Sequence, residues 1–149
     1  MPHALTRGIA GLVALVALGA AGQAAAGNPA PASFSAPFES GGKISFELVR
    51  GQGERKVRAI EITDMAADCE GRAGEIDFTI FGSTPVLGDR SFAVRSEDAT
   101  GGKAVVKGRF SRRFKRAAGI ARLRGKFDVQ DGRARCASGR QRFEAKASG

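Results

Sequence analysis

Carboxylates are the side chains on which any catalysis by this chain would have to depend. The sequence has a single histidine, His3, and no Trp or Tyr. His3 lies in a segment that is predicted below to be removed, so the mature chain cannot build a Ser-His-Asp, Cys-His or histidine-based metal site. The acidic residues cluster around the first cysteine and on predicted strands: Asp64, Asp68, Glu70, Glu61, Glu75 and Asp77.

These acidic residues allow two kinds of site, a hydrolase and a calcium loop. A carboxylate-based glycosidase needs two carboxyl groups about 5 to 10 Å apart, one of them in an apolar cleft, and aromatic rings that stack on the sugar. Without Trp or Tyr to stack on a sugar, this hydrolase is the least favoured function. The loop from Asp64 to Glu70 offers oxygen ligands for Ca²⁺ but lacks the glycine-centred spacing of known calcium loops. A solvated acidic loop is therefore favoured, and no metal site, nucleotide or other cofactor is predicted.

Basic residues are concentrated in the second part of the chain. The whole sequence carries a formal net charge of +9. Residues 27–99 contain eight Lys and Arg against twelve Asp and Glu, whereas residues 100–149 contain fifteen against three. Strand alternation places Lys107, Arg109, Arg122, Arg124 and Lys126 on one outward face. A basic cluster lies at the tip between the two strands: Arg112, Arg113, Lys115 and Arg116.

A face of this kind suits a polyanion, and acidic polysaccharide, an anionic lipid surface and extracellular DNA are the candidate partners. The alternative is a solvated face, since basic surfaces keep small exported proteins soluble and outward Lys discourages pairing between sheet edges. Facing cations repel one another, and a solubility role alone would not require this density of like charge. Charge by itself favours the solvated face, since it indicates a tendency to associate and not a function.

The positions of apolar residues predict an all-β fold. Period-2 alternation recurs between Gly-rich and Asp-Gly turns, and no stretch after residue 37 has a helical pattern. The phase changes between Ala59 and Ile60, which indicates a bulge or a strand buried on both faces. About eight short antiparallel strands are predicted, in a sandwich or an open barrel, near residues 43–48, 57–62, 76–80, 92–94, 105–110, 117–127, 134–136 and 143–145.

The N-terminal residues have the features of a cleavable signal peptide. A short positive start is followed by a run of small and apolar residues and by Ala24 to Ala26, a small-x-small cleavage site. This predicts export and removal of residues 1–26, with no membrane span after cleavage. Residues 27–37, rich in Pro, Ala and Ser, are expected to form a flexible lead-in to one domain at 38–149. The exported chain is expected to be secreted or periplasmic.

Two cysteines, Cys69 and Cys136, remain in the mature chain. In an oxidising compartment such a pair normally closes, and only one pairing is possible. Cys69 stands outside the clearest strand, so the bridge is expected to tether a loop to the penultimate strand.

A series of short motifs resembles a group of small exported single-domain bacterial β proteins that have no assigned activity. The resemblance covers residues 38–147, and Phe143 stands where many members have Trp. It implies the β fold and the disulfide and leaves the function open. The motifs are Gly-Lys-Ile-Ser-Phe at 42–46, Cys69, Lys-Gly-Arg-Phe-Ser at 107–111, Ala-Gly-Ile-Ala-Arg-Leu at 118–123, Cys-Ala-Ser-Gly at 136–139 and Phe-Glu-Ala-Lys at 143–146.

The sequence favours a non-enzymatic, exported or envelope-associated binding protein with a basic face. The first alternative is a structural or protein-interaction module that uses exposed apolar residues such as Phe81, Phe114 and Ile120. The carboxylate-based hydrolase is the remote alternative.

Overall fold

The chain folds into one antiparallel β-sheet. The structure, a computed structural model, describes residues 29–148, and none of these residues lies in a helix that could span a membrane. The predicted signal peptide lies outside the described residues. The nine strands are β1 (Ala32–Pro37), β2 (Lys43–Gly51), β3 (Glu54–Cys69), β4 (Arg72–Pro85), β5 (Ser91–Glu97), β6 (Gly102–Phe110), β7 (Arg116–Val129), β8 (Gly132–Ala137) and β9 (Gln141–Ala147).

The all-β fold class is confirmed, but the expectation of a flexible lead-in is wrong for residues 32–37. They form β1, which pairs along its whole length with β2. Phe34 and Ala36 are buried, and they alternate with exposed Ser33 and Ser35. The Pro and Ser content suggests a linker, but the alternation of the apolar residues determines the local structure once β2 supplies a partner.

The sheet is closed on itself through β8. Neighbouring strands follow the order β4-β3-β2-β1-β9-β7-β6-β5, and β8 pairs with both β3 and β7. Hydrogen-bonded pairs therefore form a ring of β3, β2, β1, β9, β7 and β8. Strands β4 and β5 form the two sheet edges, where the hydroxyl of Thr84 donates to the carbonyl of Ala93 at 3.1 Å.

The disulfide joins two strands rather than a loop and a strand. Cys69 is the last residue of β3, and it stands directly opposite Cys136 of β8, with their Cα atoms 4.0 Å apart. The predicted bridge is confirmed, whereas the expected loop attachment is wrong because β3 extends further than its apolar alternation indicates. The bridge therefore fastens β8 to β3 at the point where the ring closes.

A cluster of five phenylalanine rings from five strands lies in the core. Phe34 of β1 stacks on Phe46 of β2 with ring centroids 5.3 Å apart, and Phe110 of β6 approaches Phe34 edge-on at 5.3 Å. Phe92 of β5 and Phe143 of β9 complete the group. Each buried ring contributes about 2 to 3 kcal/mol through removal of apolar area from water. This packing fixes which side of β5, β6, β7 and β9 faces solvent.

The phase change seen in the sequence marks a β-bulge. Pairing of β3 with β4 shifts register between Arg58 and Ile60, and Ala59 has a positive φ of 52°. The bulge keeps both Val57 and Ile60 buried, although they are three residues apart.

Candidate functional site

The outward side of β5, β6, β7 and β9 forms a basic face. In β6, Val106 and Phe110 are buried while Lys107 and Arg109 are exposed, as their alternation predicts. In β7, the buried Leu123 separates the exposed Arg122 and Arg124. The two strands are antiparallel neighbours, so these cations lie on one surface.

A depression of about 480 Å³ lies within this basic face. The half-buried Val105 and Ile120 form its apolar floor. Glu97 is the one carboxylate among its lining residues. Six cationic residues surround the depression: Arg95, Lys103, Lys107, Arg122, Arg124 and Arg140.

Strand register brings the like charges close together. Lys103 stands directly opposite Arg124, a separation of about 5 Å between Cβ atoms in antiparallel sheets. Arg95 and Arg122 stand on either side of Val105 in the adjacent row. The Nζ atom of Lys103 lies 4.0 Å from a carboxylate oxygen of Glu97, which is beyond hydrogen-bond distance, and this single carboxylate faces six cations. The depression keeps a strong excess of positive charge.

Hydrogen bonds around a buried serine position Arg140 at the depression. The backbone N–H of Ser138 donates to the carbonyl of Leu123, and the N–H of Leu123 donates to the Ser138 hydroxyl, each at 2.9 Å. The side-chain amide of Gln141 donates to the carbonyl of Ser138 at 2.7 Å. The turn between β8 and β9 is thus tied to β7, which holds Arg140 beside Arg122.

The turn between β5 and β6 is organised by Asp98. Its carboxylate accepts hydrogen bonds from the N–H and hydroxyl of Thr100 and from the N–H of Gly102. Desolvation acts to raise the pKa of Asp98, but these hydrogen bonds outweigh it, so the pKa lies below its usual value. The turn fixes the start of β6 and hence the position of Lys103.

Arg109 lies on the basic face but has its own counterion. Its guanidinium donates to the carboxylate of Asp89 at 3.1 Å. The hydroxyl and N–H of Ser91, followed by Arg109, lower the pKa of Asp89, so the carboxylate stays charged. Arg109 is therefore less available to a ligand than Arg122 or Arg124. Lys126 is exposed on the same strand as Arg124, but it lies beyond the end of β6, opposite Arg135 of β8.

The predicted basic cluster forms the tip between β6 and β7. The Ser111 hydroxyl accepts hydrogen bonds from the N–H groups of Lys115 and Arg116, which closes the turn. Arg112 and Arg113 are exposed. Phe114 is half-buried rather than exposed as predicted, because its ring lies 5.5 Å from that of Phe110. The guanidinium of Arg55 also lies over the Phe114 ring, 4.2 Å from the ring centre.

The other two apolar residues proposed for protein interaction differ in exposure. Ile120 is half-buried on the floor of the depression. Phe81 of β4 is 88% exposed. Of Phe81, Phe114 and Ile120, only Phe81 is exposed, so the three residues do not form a shared apolar surface.

The acidic residues of β3, β4 and their connecting turn lie on a different part of the sheet, and three of their carboxylates accept backbone hydrogen bonds. Asp64, Glu75 and Asp77 lie on β3 and β4, and the N–H of Asp64 donates to the Asp77 carboxylate at 2.8 Å. Asp68 accepts from the N–H of Gly71, and Glu70 accepts from the N–H of Arg135. Over residues 29–148 no group of His, Cys, Asp and Glu has a geometry that would hold a metal ion.

Three cations of the depression are absent from the set predicted from sequence: Arg95, Lys103 and Arg140. The first two have a local signal, because Arg95 alternates with the apolar Val94 and Lys103 is in phase with Lys107. Arg140 precedes β9 and has no such signal, since its position depends on the buried Ser138.

No family model, curated protein or solved structure matches this chain.

Proposed function

We propose that this chain is an exported, non-enzymatic protein that binds polyanions through the basic face. The main support for this proposal is the lining of the depression, where six cationic side chains surround an apolar floor and a single carboxylate. Acidic polysaccharide, an anionic lipid surface and extracellular DNA all supply the charge that this surface lacks.

Electrostatic repulsion within the face supports a binding role. Facing Lys103 and Arg124 destabilise the sheet, because like charges directly opposite one another repel. A solubilising surface does not require cations in adjacent rows around a concavity. Contact with a polyanion relieves the repulsion and releases condensed counterions, which makes the affinity strongly dependent on salt.

We expect Arg122→Ser/Arg124→Ser to elute from a heparin column at lower salt than the wild type. Each lost contact lowers the slope of log affinity against log salt by about one, so the double variant should lose about two. The control is Lys43→Ser/Arg72→Ser, which removes the same charge from exposed positions on β2 and β4. Equal elution of all three proteins, or no retention of the wild type at about 50 mM salt, would leave the solvated-face alternative.

Export predicts a mature protein that begins near Gly27. Cleavage after Ala26 follows from the small-x-small sequence that signal peptidase recognises. N-terminal sequencing of protein recovered from the medium or periplasm of the native host measures this directly. Membrane-bound material that retains Met1 would contradict the signal-peptide interpretation.

A further inference from the structure

Cations are concentrated at two places, the depression on the basic face and the tip between β6 and β7. Arg116 and Arg122 lie on the same side of β7, because positions of the same parity in a strand face the same way. They are six positions apart in the strand, so their Cα atoms are about 20 Å apart at about 3.4 Å per residue. Arg122 belongs to the depression, and Arg116 belongs to a second concavity at the other end of the β6–β7 hairpin.

This second concavity, the tip cleft, has no Asp or Glu among its lining residues in the described part of the chain. Arg116 of β7 stands directly opposite Lys146 of β9, so two exposed cations face each other here as they do in the depression. Leu48 and Phe114 supply apolar lining. Five cationic residues line the cleft: Arg50, Arg113, Lys115, Arg116 and Lys146.

The surface between the two concavities is close to neutral. Arg109 is paired with Asp89 at 3.1 Å. On β7 the positions between Arg116 and Arg122 are occupied by Ala118 and Ile120. On β9, Glu144 stands opposite Ala118 and Arg142 stands opposite Ile120, so this row carries one charge of each sign. A small anion would therefore occupy one concavity or the other and not the region between them.

We propose that the depression and the tip cleft bind one linear acidic polysaccharide that bridges them. This inference rests on the proposed polyanion-binding function and specifies its ligand. Once a chain is held at one concavity, its next charged groups reach the other at a high effective concentration, which raises the affinity without any new contact. The small side chain of Ala118 lets the polysaccharide pass close to the sheet.

The side chains of the face favour a polysaccharide over single-stranded nucleic acid. Binding of single strands uses aromatic rings on which bases stack. The residues that line the depression include no aromatic residue, and the Phe114 ring that lines the tip cleft already contacts Phe110 and Arg55. Arginine, which is prominent at both concavities, binds carboxylate, sulfate and phosphate oxygens alike, so the preference for a polysaccharide depends on the shortage of stacking rings.

Heparin oligosaccharides graded from disaccharide to dodecasaccharide test the bridge by titration calorimetry at low salt. Short oligosaccharides should bind weakly with two molecules per protein. Once the extended oligosaccharide exceeds about 20 Å, the stoichiometry should fall to one and the affinity should rise by at least 100-fold.

Two double variants test whether both concavities are needed for the increase in affinity with oligosaccharide length. Arg122→Ser/Arg124→Ser and Arg113→Ser/Lys115→Ser should each abolish the length-dependent increase and leave one short oligosaccharide bound per protein. The control Lys43→Ser/Arg72→Ser should keep both the increase and the stoichiometry of two.

The possible results distinguish a failure of the bridge between the two concavities from a failure of polyanion binding itself. Short and long oligosaccharides that bind equally, or a single short oligosaccharide per protein, would overturn the bridge and leave polyanion binding intact. Absence of binding at every length would overturn both. Tighter binding of oligothymidylate of matched length or of phosphatidylserine vesicles would overturn the choice of polysaccharide.

Discussion

Removal of the Cys69–Cys136 disulfide is expected to lower the free energy of unfolding by about 3 to 4 kcal/mol. The bridge joins residues 67 positions apart, so it restricts a large loop in the unfolded chain. In the native sheet it fastens β8 to β3. These strands form only two residue pairs, Asp68 with Ala137 and Cys69 with Cys136, which are extended by hydrogen bonds between Glu70 and Arg135. Loss of the bridge therefore removes the strongest connection at the place where the ring closes.

Urea denaturation of the oxidised and reduced protein measures this loss. The double variant Cys69→Ala/Cys136→Ala separates the cross-link from the packing of the two buried sulfurs, and a reductant should have no effect on its stability. Oxidised and reduced wild type with midpoints that agree within error would show that the bridge contributes nothing.

The hairpin of β6 and β7 is predictable from sequence because residues close together along the chain determine it. Alternation of Val106 and Phe110 with Lys107 and Arg109 fixes the outward positions, and a short connection makes the two strands antiparallel neighbours. These two local features are sufficient to place Lys107 and Arg109 on the same face as Arg122.

The depression and the tip cleft are not predictable from sequence, because they depend on strands that are distant along the chain. Arg140 reaches Arg122 only because β9 pairs with β7, and Arg50 reaches the tip from β2. For the same reason the sequence does not predict β1. The alternation of Phe34 and Ala36 is too short to indicate a strand until β2 is placed beside it. Local patterns determine which way a side chain faces, whereas tertiary pairing determines its neighbours.

Gly119→Ala is expected to destabilise the protein by about 3 kcal/mol, at the upper end of the usual cost of overpacking. Gly119 of β7 stands between Gly108 of β6 and Phe143 of β9 in one row of the inner face. A methyl group at Gly119 would overlap the carbonyl oxygen of Lys107 and would lie 2.8 Å from the Cζ atom of Phe143. The ring could turn away, but the carbonyl is fixed by the pairing of β6 with β7.

Two other glycines serve as controls. They test whether the loss of stability at Gly119 comes from the close approach of the β6 backbone. A methyl group at Gly108 would lie 2.7 Å from ring atoms of Phe92 and 3.3 Å from the carbonyl oxygen of Ala118, so Gly108→Ala should cost less than Gly119→Ala because a ring can yield. Gly51→Ala meets no atom within 4 Å and should change the stability by less than about 1 kcal/mol.

Thermal or urea denaturation of these three variants should give the order Gly119→Ala, Gly108→Ala, Gly51→Ala from least to most stable. A Gly119→Ala variant as stable as Gly51→Ala would contradict the close approach of β6 and β7. The prediction also bears on the ligand-binding face, because these two strands carry Lys103, Lys107, Arg122 and Arg124 on their other side. Separation of the strands would displace the cations that face each other, so Gly119→Ala should weaken heparin retention even under conditions where the variant stays folded.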